Sequence, residues 1–120
     1  RNWLGQFRGT IESGASEPDR ALFDSPDGTV VVADAAEAFT RGGRGPAHEF
    51  PMVGEPWGFD PADCAPKLSL WHGRRDEKVP LRLAQTVASR LPETDVTVVD
   101  GGHYSTLVEH FEAILLDAVE

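Results

Sequence analysis

Apolar residues recur at regular spacing from Lys67 onward, and their pattern predicts a strand, a helix, a second strand and a closing helix. Short apolar runs at Leu68–Trp71 and Asp95–Val99 are typical of buried strands. Between these runs, Pro80 predicts the first turn of a helix and Pro92 predicts its end. This order indicates one right-handed crossover between two parallel strands.

The closing helix is predicted to begin with a capping box, Thr106-x-x-Glu109. Its apolar positions have helical spacing and predict one inward stripe that comprises Leu107, Val108, Phe111, Ile114, Leu115 and Ala118. Two parallel strands need further strands beside them and cover on both faces. We therefore expect the chain to form part of a larger sheet.

The first 66 residues carry a weaker pattern. Turn-forming residues and scattered apolar positions predict short helical turns within loop over residues 1–28. Residues 42–66 are rich in Gly and Pro, which predicts a long connection without regular structure.

Residues 29–41 are ambiguous from propensity. Thr29–Val32 favours a strand, whereas Ala33–Phe39 favours a helix with apolar residues at helical spacing. We choose a helix that begins near Asp27 and stops at Gly42-Gly43.

Charge and cysteine content narrow the classes of partner and compartment. Twenty acidic residues against eleven basic ones give 120 residues a formal net charge of -9, which disfavours binding to nucleic acid or to an anionic membrane. Cys64 is the sole cysteine, so no intrachain disulfide forms, and a cytoplasmic location is the default expectation.

No run of apolar residues is long enough for a membrane span. The start, Arg1–Gly5, lacks an initiator Met and a signal peptide, which suggests a truncated product or fragment.

Two side chains with catalytic chemistry, Asp76 and His103, each follow a predicted strand. In open α/β sheets the ligand crevice lies outside the carboxyl ends of the strands, so these side chains are expected to meet there. A carboxylate on one ring nitrogen of a histidine fixes its tautomer and stabilises the imidazolium that forms when the other nitrogen takes a proton. The alternative is that Asp76 caps the helix near Pro80 and that His103 is a turn residue.

The motif Trp71-His72-Gly73-x-x-Asp76-x-x-Val79-Pro80, together with Gly101-Gly102-His103, resembles the C-terminal part of the α/β-hydrolase fold family. These serine hydrolases include esterases, lipases and proline iminopeptidase-like enzymes. The family has its Asp after the penultimate strand and its His after the last. The resemblance thus implies that Asp76 and His103 are the catalytic acid and base, and that the substrate is a small-molecule ester or amide.

The same resemblance implies a division of the chain. The segment Pro56–Asp60 resembles the family's passage from the lid back into the core. Residues 1–55 are therefore expected to be a mostly helical and loop lid remnant with its connection. Residues 56–120 are expected to be the C-terminal part of a parallel α/β-hydrolase core. No cofactor and no metal are expected.

A nucleophile is missing, because no Gly-x-Ser-x-Gly elbow occurs in the sequence. The expectation is a C-terminal fragment whose nucleophile, a Ser or alternatively an Asp or Cys, lies upstream, so that the chain alone is catalytically silent. The other hypothesis is a non-catalytic binding or partner module derived from a hydrolase. The isolated chain is also expected to self-associate, because its sheet edge is unpaired.

The remaining candidate residues fit structural roles better than chemical ones. Ser105 is interpreted as a residue at a helix start and not as a nucleophile. His72 is interpreted as a structural histidine. His48 and His110 have no metal-ligand spacing with each other or with Cys64, and Cys64 is interpreted as a small, partly buried residue.

Overall fold

A computed structural model of the protein describes residues 3–40 and 42–119. The first half is helical, with α1 (Trp3–Glu12), α2 (Glu17–Phe23), α3 (Pro26–Glu37), α4 (Arg44–Met52) and a short 3-10 turn at Pro61–Asp63. The second half contains β1 (Leu68–Gly73), α5 (Leu81–Ala88), β2 (Thr94–Val99), α6 (Ser105–Glu109) and α7 (Phe111–Asp117). Within the described ranges, no helix is long and apolar enough to cross a bilayer.

The two strands are parallel neighbours, as the sequence predicts. Their register runs from Leu68 opposite Thr94 to Gly73 opposite Val99. Helix α5 connects the strands and packs against both of them. The chain therefore has a mixed α/β fold in which the carboxyl ends of β1 and β2 lie side by side.

The expectation of short helical turns within loop over residues 1–28 is wrong in part, because α1 and α2 are regular helices that occupy most of the described part of this range. Ser16 and Pro18 mark the start of α2 and are ordinary helix-start signals. For α3 the choice of a helix that begins near Asp27 is confirmed, but the helix ends at Glu37 and not at Gly42-Gly43. The Ser25 hydroxyl accepts a hydrogen bond from the Gly28 N–H at 3.2 Å and caps this helix.

The prediction of a connection without regular structure over residues 42–66 is also wrong in part, because α4 lies within it. Pro46 is in the first turn of α4, where backbone N–H groups have no helical acceptor and a proline costs little. Pro51 lies one residue before the end of the helix at Met52. Both prolines thus occupy positions near the helix ends, and the remainder of residues 42–66 is largely irregular.

The prediction of a single closing helix is wrong as well, because α6 and α7 are separate helices with a break at His110, whose φ is -111°. The Thr106 side chain makes no capping box and instead donates to the Gly102 carbonyl at 2.6 Å. The predicted inward stripe is largely exposed: Leu107, Phe111 and Leu115 are 55%, 54% and 52% exposed. The described part of the chain supplies no surface that covers this face.

The buried core lies around α2. Its buried apolar side chains include Leu22 and Phe23 of this helix, together with Ala15, Ala36 and Ala84 elsewhere. Helix α2 contacts α3 on one side and α6 on the other. This packing joins the helical first half to the loop that follows β2.

Candidate functional site

Asp76 is held in the turn after β1 by its own backbone and side chain. Its N–H donates to the Gly73 carbonyl at 3.2 Å. Its Oδ1 accepts from the backbone N–H groups of Lys78 at 2.9 Å and Val79 at 2.8 Å. The side chain is only 5% exposed. These bonds fix the carboxylate while leaving its second oxygen, Oδ2, available for another partner.

His103 lies in the loop after β2, and the surrounding residues order that loop. The buried Ser105 hydroxyl accepts from the Gly102 N–H at 2.8 Å. The Thr106 hydroxyl donates to the Gly102 carbonyl. The residue before His103 is therefore bonded through both its N–H and its carbonyl group.

The two side chains meet: His103 Nδ1 lies 3.0 Å from Asp76 Oδ2. Because an ionised carboxylate only accepts hydrogen bonds, this contact assigns the ring proton to Nδ1 and leaves Nε2 as an acceptor. Among the residues that the structure describes, none is hydrogen-bonded to Nε2. The imidazole is 35% exposed and lines a cavity of about 470 Å³ together with Asp76, Trp71 and Leu107.

Close backbone approach brings the two loops together. The Arg75 N–H donates to the Gly101 carbonyl at 2.9 Å. Gly73 ends β1 at this point, and a Cβ there would overlap the carbonyl oxygens of Gly101 and Gly102. A side chain at residue 73 would therefore push the His103 loop away from Asp76.

A second imidazole, His72, lies near the same carboxylate. Its Nε2 is 2.9 Å from the Val79 carbonyl oxygen and 3.7 Å from Asp76 Oδ2. Since a carbonyl accepts, His72 Nε2 carries a proton that it donates to Val79. His72 thus braces the loop that carries Asp76, and His103 makes the shorter contact with the carboxylate.

Tyr104 lies beside His103 in a partly buried and negatively charged setting. The two rings meet edge to face, with centroids 4.9 Å apart. Burial raises the pKa of the Tyr104 hydroxyl, and the charges of Asp19 and Asp76 raise it further. The phenol therefore stays protonated at neutral pH.

The other candidates lie outside this contact. Ser105 is fully buried, and its hydroxyl bonds the Gly102 N–H, so it supports the start of α6. His48 is exposed on α4, and the His110 ring is 6.0 Å from that of Trp71. Cys64 is partly buried. No group of three or more metal-binding side chains occurs in residues 3–40 and 42–119.

Sequence reasoning missed Asp19, a buried residue of α2 that binds the His103 loop. Its carboxylate accepts hydrogen bonds from the backbone N–H groups of His103, Tyr104 and Ser105 at 2.8 to 2.9 Å. The one local signal, Ser16-x-x-Asp19, predicts a helix cap and says nothing about a distant loop. The Ser16 hydroxyl donates to Asp19 at 3.1 Å.

Comparisons with known proteins identify no relative. No protein-family model matches the chain, and neither the comparison with curated proteins nor that with solved structures gives a significant match. The geometry of the site and the motifs of the sequence therefore carry the functional interpretation.

Proposed function

We propose that this chain supplies the acid and the base of a hydrolase that cleaves an ester or amide bond of a small molecule. The single observation that carries the proposal is the 3.0 Å contact between His103 Nδ1 and Asp76 Oδ2, with Nε2 left as an acceptor beside a cavity. This is the base and orienter arrangement of nucleophile, His and Asp triads.

The chemistry assigns one role to each residue. His103 Nε2 takes the hydroxyl proton of a nucleophile as its oxygen bonds to the substrate carbonyl carbon, and Asp76 stabilises the imidazolium. The imidazolium returns the proton to the departing alcohol or amine as the carbonyl-heteroatom bond breaks. Water, activated by His103 in the same way, then releases the acid and regenerates the nucleophile. None of these steps requires a cofactor.

The nucleophile is proposed to come from outside these 120 residues. No Gly-x-Ser-x-Gly elbow occurs in them, and the buried hydroxyl of Ser105 is committed to Gly102. A serine is the first choice, and an Asp or Cys is the alternative. The resemblance to α/β-hydrolases supports this arrangement and, with it, a lid remnant over residues 1–55 and a core over residues 56–120. The sole cysteine supports a cytoplasmic location.

Turnover by the natural gene product, expressed from its own start codon, tests the proposal. The product should hydrolyse a simple activated ester and, if the nucleophile is a serine, react with a fluorophosphonate probe. His103→Ala should abolish both, whereas His48→Ala, a change at an exposed histidine of α4, should leave both intact. Equal turnover in the two variants, or no turnover of any ester or amide by the wild type, would count against a hydrolase.

A binding or partner module is the second candidate, and the exposed face of α6 and α7 favours it. Leu107, Phe111 and Leu115 are each more than half exposed, and large exposed apolar patches commonly mark interaction surfaces. The two functions differ in one simple observation. A Gly-x-Ser-x-Gly motif in the coding sequence before Arg1 favours the hydrolase, and a natural start codon near that position favours the module.

A further inference from the structure

Asp19 makes an unusually complete set of contacts for an acidic residue in a helix. Its Oδ2 accepts from the His103 N–H at 2.8 Å and the Ser16 hydroxyl at 3.1 Å. Its Oδ1 accepts from the N–H groups of Tyr104 and Ser105, each at 2.9 Å. The residue is 1% exposed, although 84 positions separate it from His103. One carboxylate thus binds three consecutive amides of the loop that carries His103.

The residues around the Asp19 carboxylate pack closely against it. A Cβ on Gly102 would overlap the Ser16 hydroxyl and the Asp19 carboxylate, so only glycine allows their approach. The Phe23 ring of α2 contacts the Tyr104 ring at a centroid distance of 5.3 Å. Helix α2 thus contacts this loop near its start, through Asp19, and at its end, through Phe23.

The hydrogen bonds from the His103 loop also keep the Asp19 carboxylate ionised. Burial by itself raises the pKa of Asp19, but the hydrogen bonds from the backbone of Ser105, His103 and Tyr104 outweigh burial and lower it. At neutral pH the loop therefore binds a full negative charge. Charged acceptors make hydrogen bonds about twice as strong as neutral ones.

We propose that Asp19 is a positioning residue, which fixes the backbone at His103 so that the imidazole keeps Nδ1 on Asp76 and presents Nε2 to the substrate cavity. The inference rests on the proposed function, because it gives a residue of the helical first half a part in orienting the proposed base, His103. Asp19 itself touches no reacting atom. It acts on the imidazole indirectly, because its hydrogen bond fixes the backbone N–H of His103, the residue that carries the ring.

Asp19→Asn tests this role with little change of shape. An amide offers one oxygen in place of two, so one of the two sets of donors loses its acceptor and faces an NH₂ group. The matched control is Glu17→Gln on the same helix. It removes one charge and the ion pair with Arg75, a second link between α2 and the strand loops, without touching the His103 backbone.

Nitrogen-15 spectra of the imidazoles in the 120-residue chain provide a readout that a merely structural role would not move. The His103 signals are assigned by their loss in His103→Gln. We expect wild type and Glu17→Gln to keep the proton on Nδ1, and Asp19→Asn to raise the fraction of the Nε2–H tautomer at least about twofold. An unchanged tautomer in folded Asp19→Asn, or an equal change in Glu17→Gln, would overturn the role.

Ser16→Ala keeps the test decisive if Asp19→Asn does not fold. It removes one hydrogen bond from Asp19 Oδ2, the oxygen that also accepts from His103, and leaves the charge in place. The tautomer should move in the same direction by a smaller amount. An unchanged tautomer in Ser16→Ala, with Asp19→Asn unfolded, would contradict the positioning role.

Kinetics of the natural gene product separate this inference from the proposed function. Asp19→Asn should lower kcat by about 10- to 100-fold with little change in KM, since a displaced base slows the chemical step more than substrate binding. If His103→Ala retains activity, the hydrolase proposal fails, whereas the imidazole spectra still test Asp19 without any turnover. Unchanged kcat in Asp19→Asn beside an inactive His103→Ala would reject the positioning role alone.

Discussion

His103 Nδ1 lies 3.0 Å from Asp76 Oδ2, although 27 positions separate the two residues along the chain. The contact follows from the parallel pairing of β1 with β2, because each residue is in the loop after one of these strands. The two carboxylate oxygens of Asp76 accept hydrogen bonds from different groups. Oδ1 accepts from Lys78 and Val79 and fixes its own turn, and Oδ2 accepts from the imidazole. Asp76 therefore fixes its own turn and contacts His103, but it does not cap α5, which begins at Leu81 with Pro80 as its N-cap and without a side-chain cap.

The first prediction is that Asp76 and His103 act as one unit in the natural gene product. His103→Ala should lower kcat/KM for a simple ester by roughly 10⁴-fold or more, because the nucleophile loses its base. Asp76→Asn should cost about 10³- to 10⁴-fold, because an amide favours the wrong tautomer. The double variant should be little slower than His103→Ala. Multiplicative losses would show two independent roles and contradict a shared mechanism.

The second prediction concerns Ser105, the serine nearest to His103 in sequence. Its Oγ accepts from the buried Gly102 N–H, so Ser105→Ala should destabilise the fold by about 1 to 3 kcal/mol in urea titrations. Turnover of the folded variant should fall by about tenfold at most, through loosening of the loop. Ser89→Ala, at an exposed hydroxyl that donates to the Thr86 carbonyl away from the cavity beside His103, serves as the control. Complete loss of turnover in folded Ser105→Ala would make Ser105 a candidate nucleophile.

The strands and the meeting of Asp76 with His103 were predictable from local patterns. Apolar runs bounded by turn residues predict β1 and β2, and a helix between them predicts parallel pairing. Parallel strands place their carboxyl ends at one edge, so the proximity of the two loops follows without knowledge of any side chain.

The remaining features depend on contacts between distant segments. The pattern of Ser16 and Asp19 resembles a local helix cap, whereas the carboxylate oxygens of Asp19 accept hydrogen bonds from the backbone N–H groups of residues 103–105. The break at His110 was hidden because the apolar spacing continues through it. Proline content argued against α4, although Pro46 lies in the first turn, where a helix tolerates proline; Pro51 lies inside the helix, one residue before its end. Residue type alone carries none of this information, because tertiary contacts decide it.

The third prediction is a pH dependence of stability that belongs to Asp19. Hydrogen bonds hold the pKa of Asp19 below its ordinary value of 3.8, despite the opposite effect of burial. A carboxyl whose folded pKa is lowered stabilises the fold fully above its unfolded pKa, and the contribution is lost as the pH falls through the folded pKa. At pH 7, Asp19→Asn should lower the unfolding free energy by about 2 kcal/mol or more.

Urea titrations over a range of pH check the sign of this effect. The difference between wild type and Asp19→Asn should be constant above about pH 5 and should shrink as the pH falls below about 4. Asp34→Asn, a change at an exposed residue of α3, should show no comparable difference. A difference that grows on acidification would contradict the ionised state assigned to Asp19.

The fourth prediction concerns Gly102, where the His103 loop lies close to Ser16 and Asp19. Gly102→Ala places a Cβ against the Ser16 hydroxyl and the Asp19 carboxylate, so the loop or α2 must shift. We expect a loss of about 1 to 3 kcal/mol in unfolding free energy. Gly9→Ala, at a helical glycine with open space around it, should be neutral or stabilising. Equal stability of the two variants would show that α2 and the loop are not in close contact.

The last prediction is that the 120-residue chain self-associates through the exposed face of α6 and α7. Phe111 and Leu115 are four positions apart and therefore lie on the same face of α7, and both are more than half exposed. Sedimentation velocity should show association that increases with protein concentration. Leu115→Glu should weaken it by about tenfold or more, since burying one leucine contributes roughly 1.5 to 3 kcal/mol. Val30→Glu, which adds the same charge at an exposed apolar residue of α3, should leave association unchanged. A monodisperse chain at all concentrations would contradict association through this face.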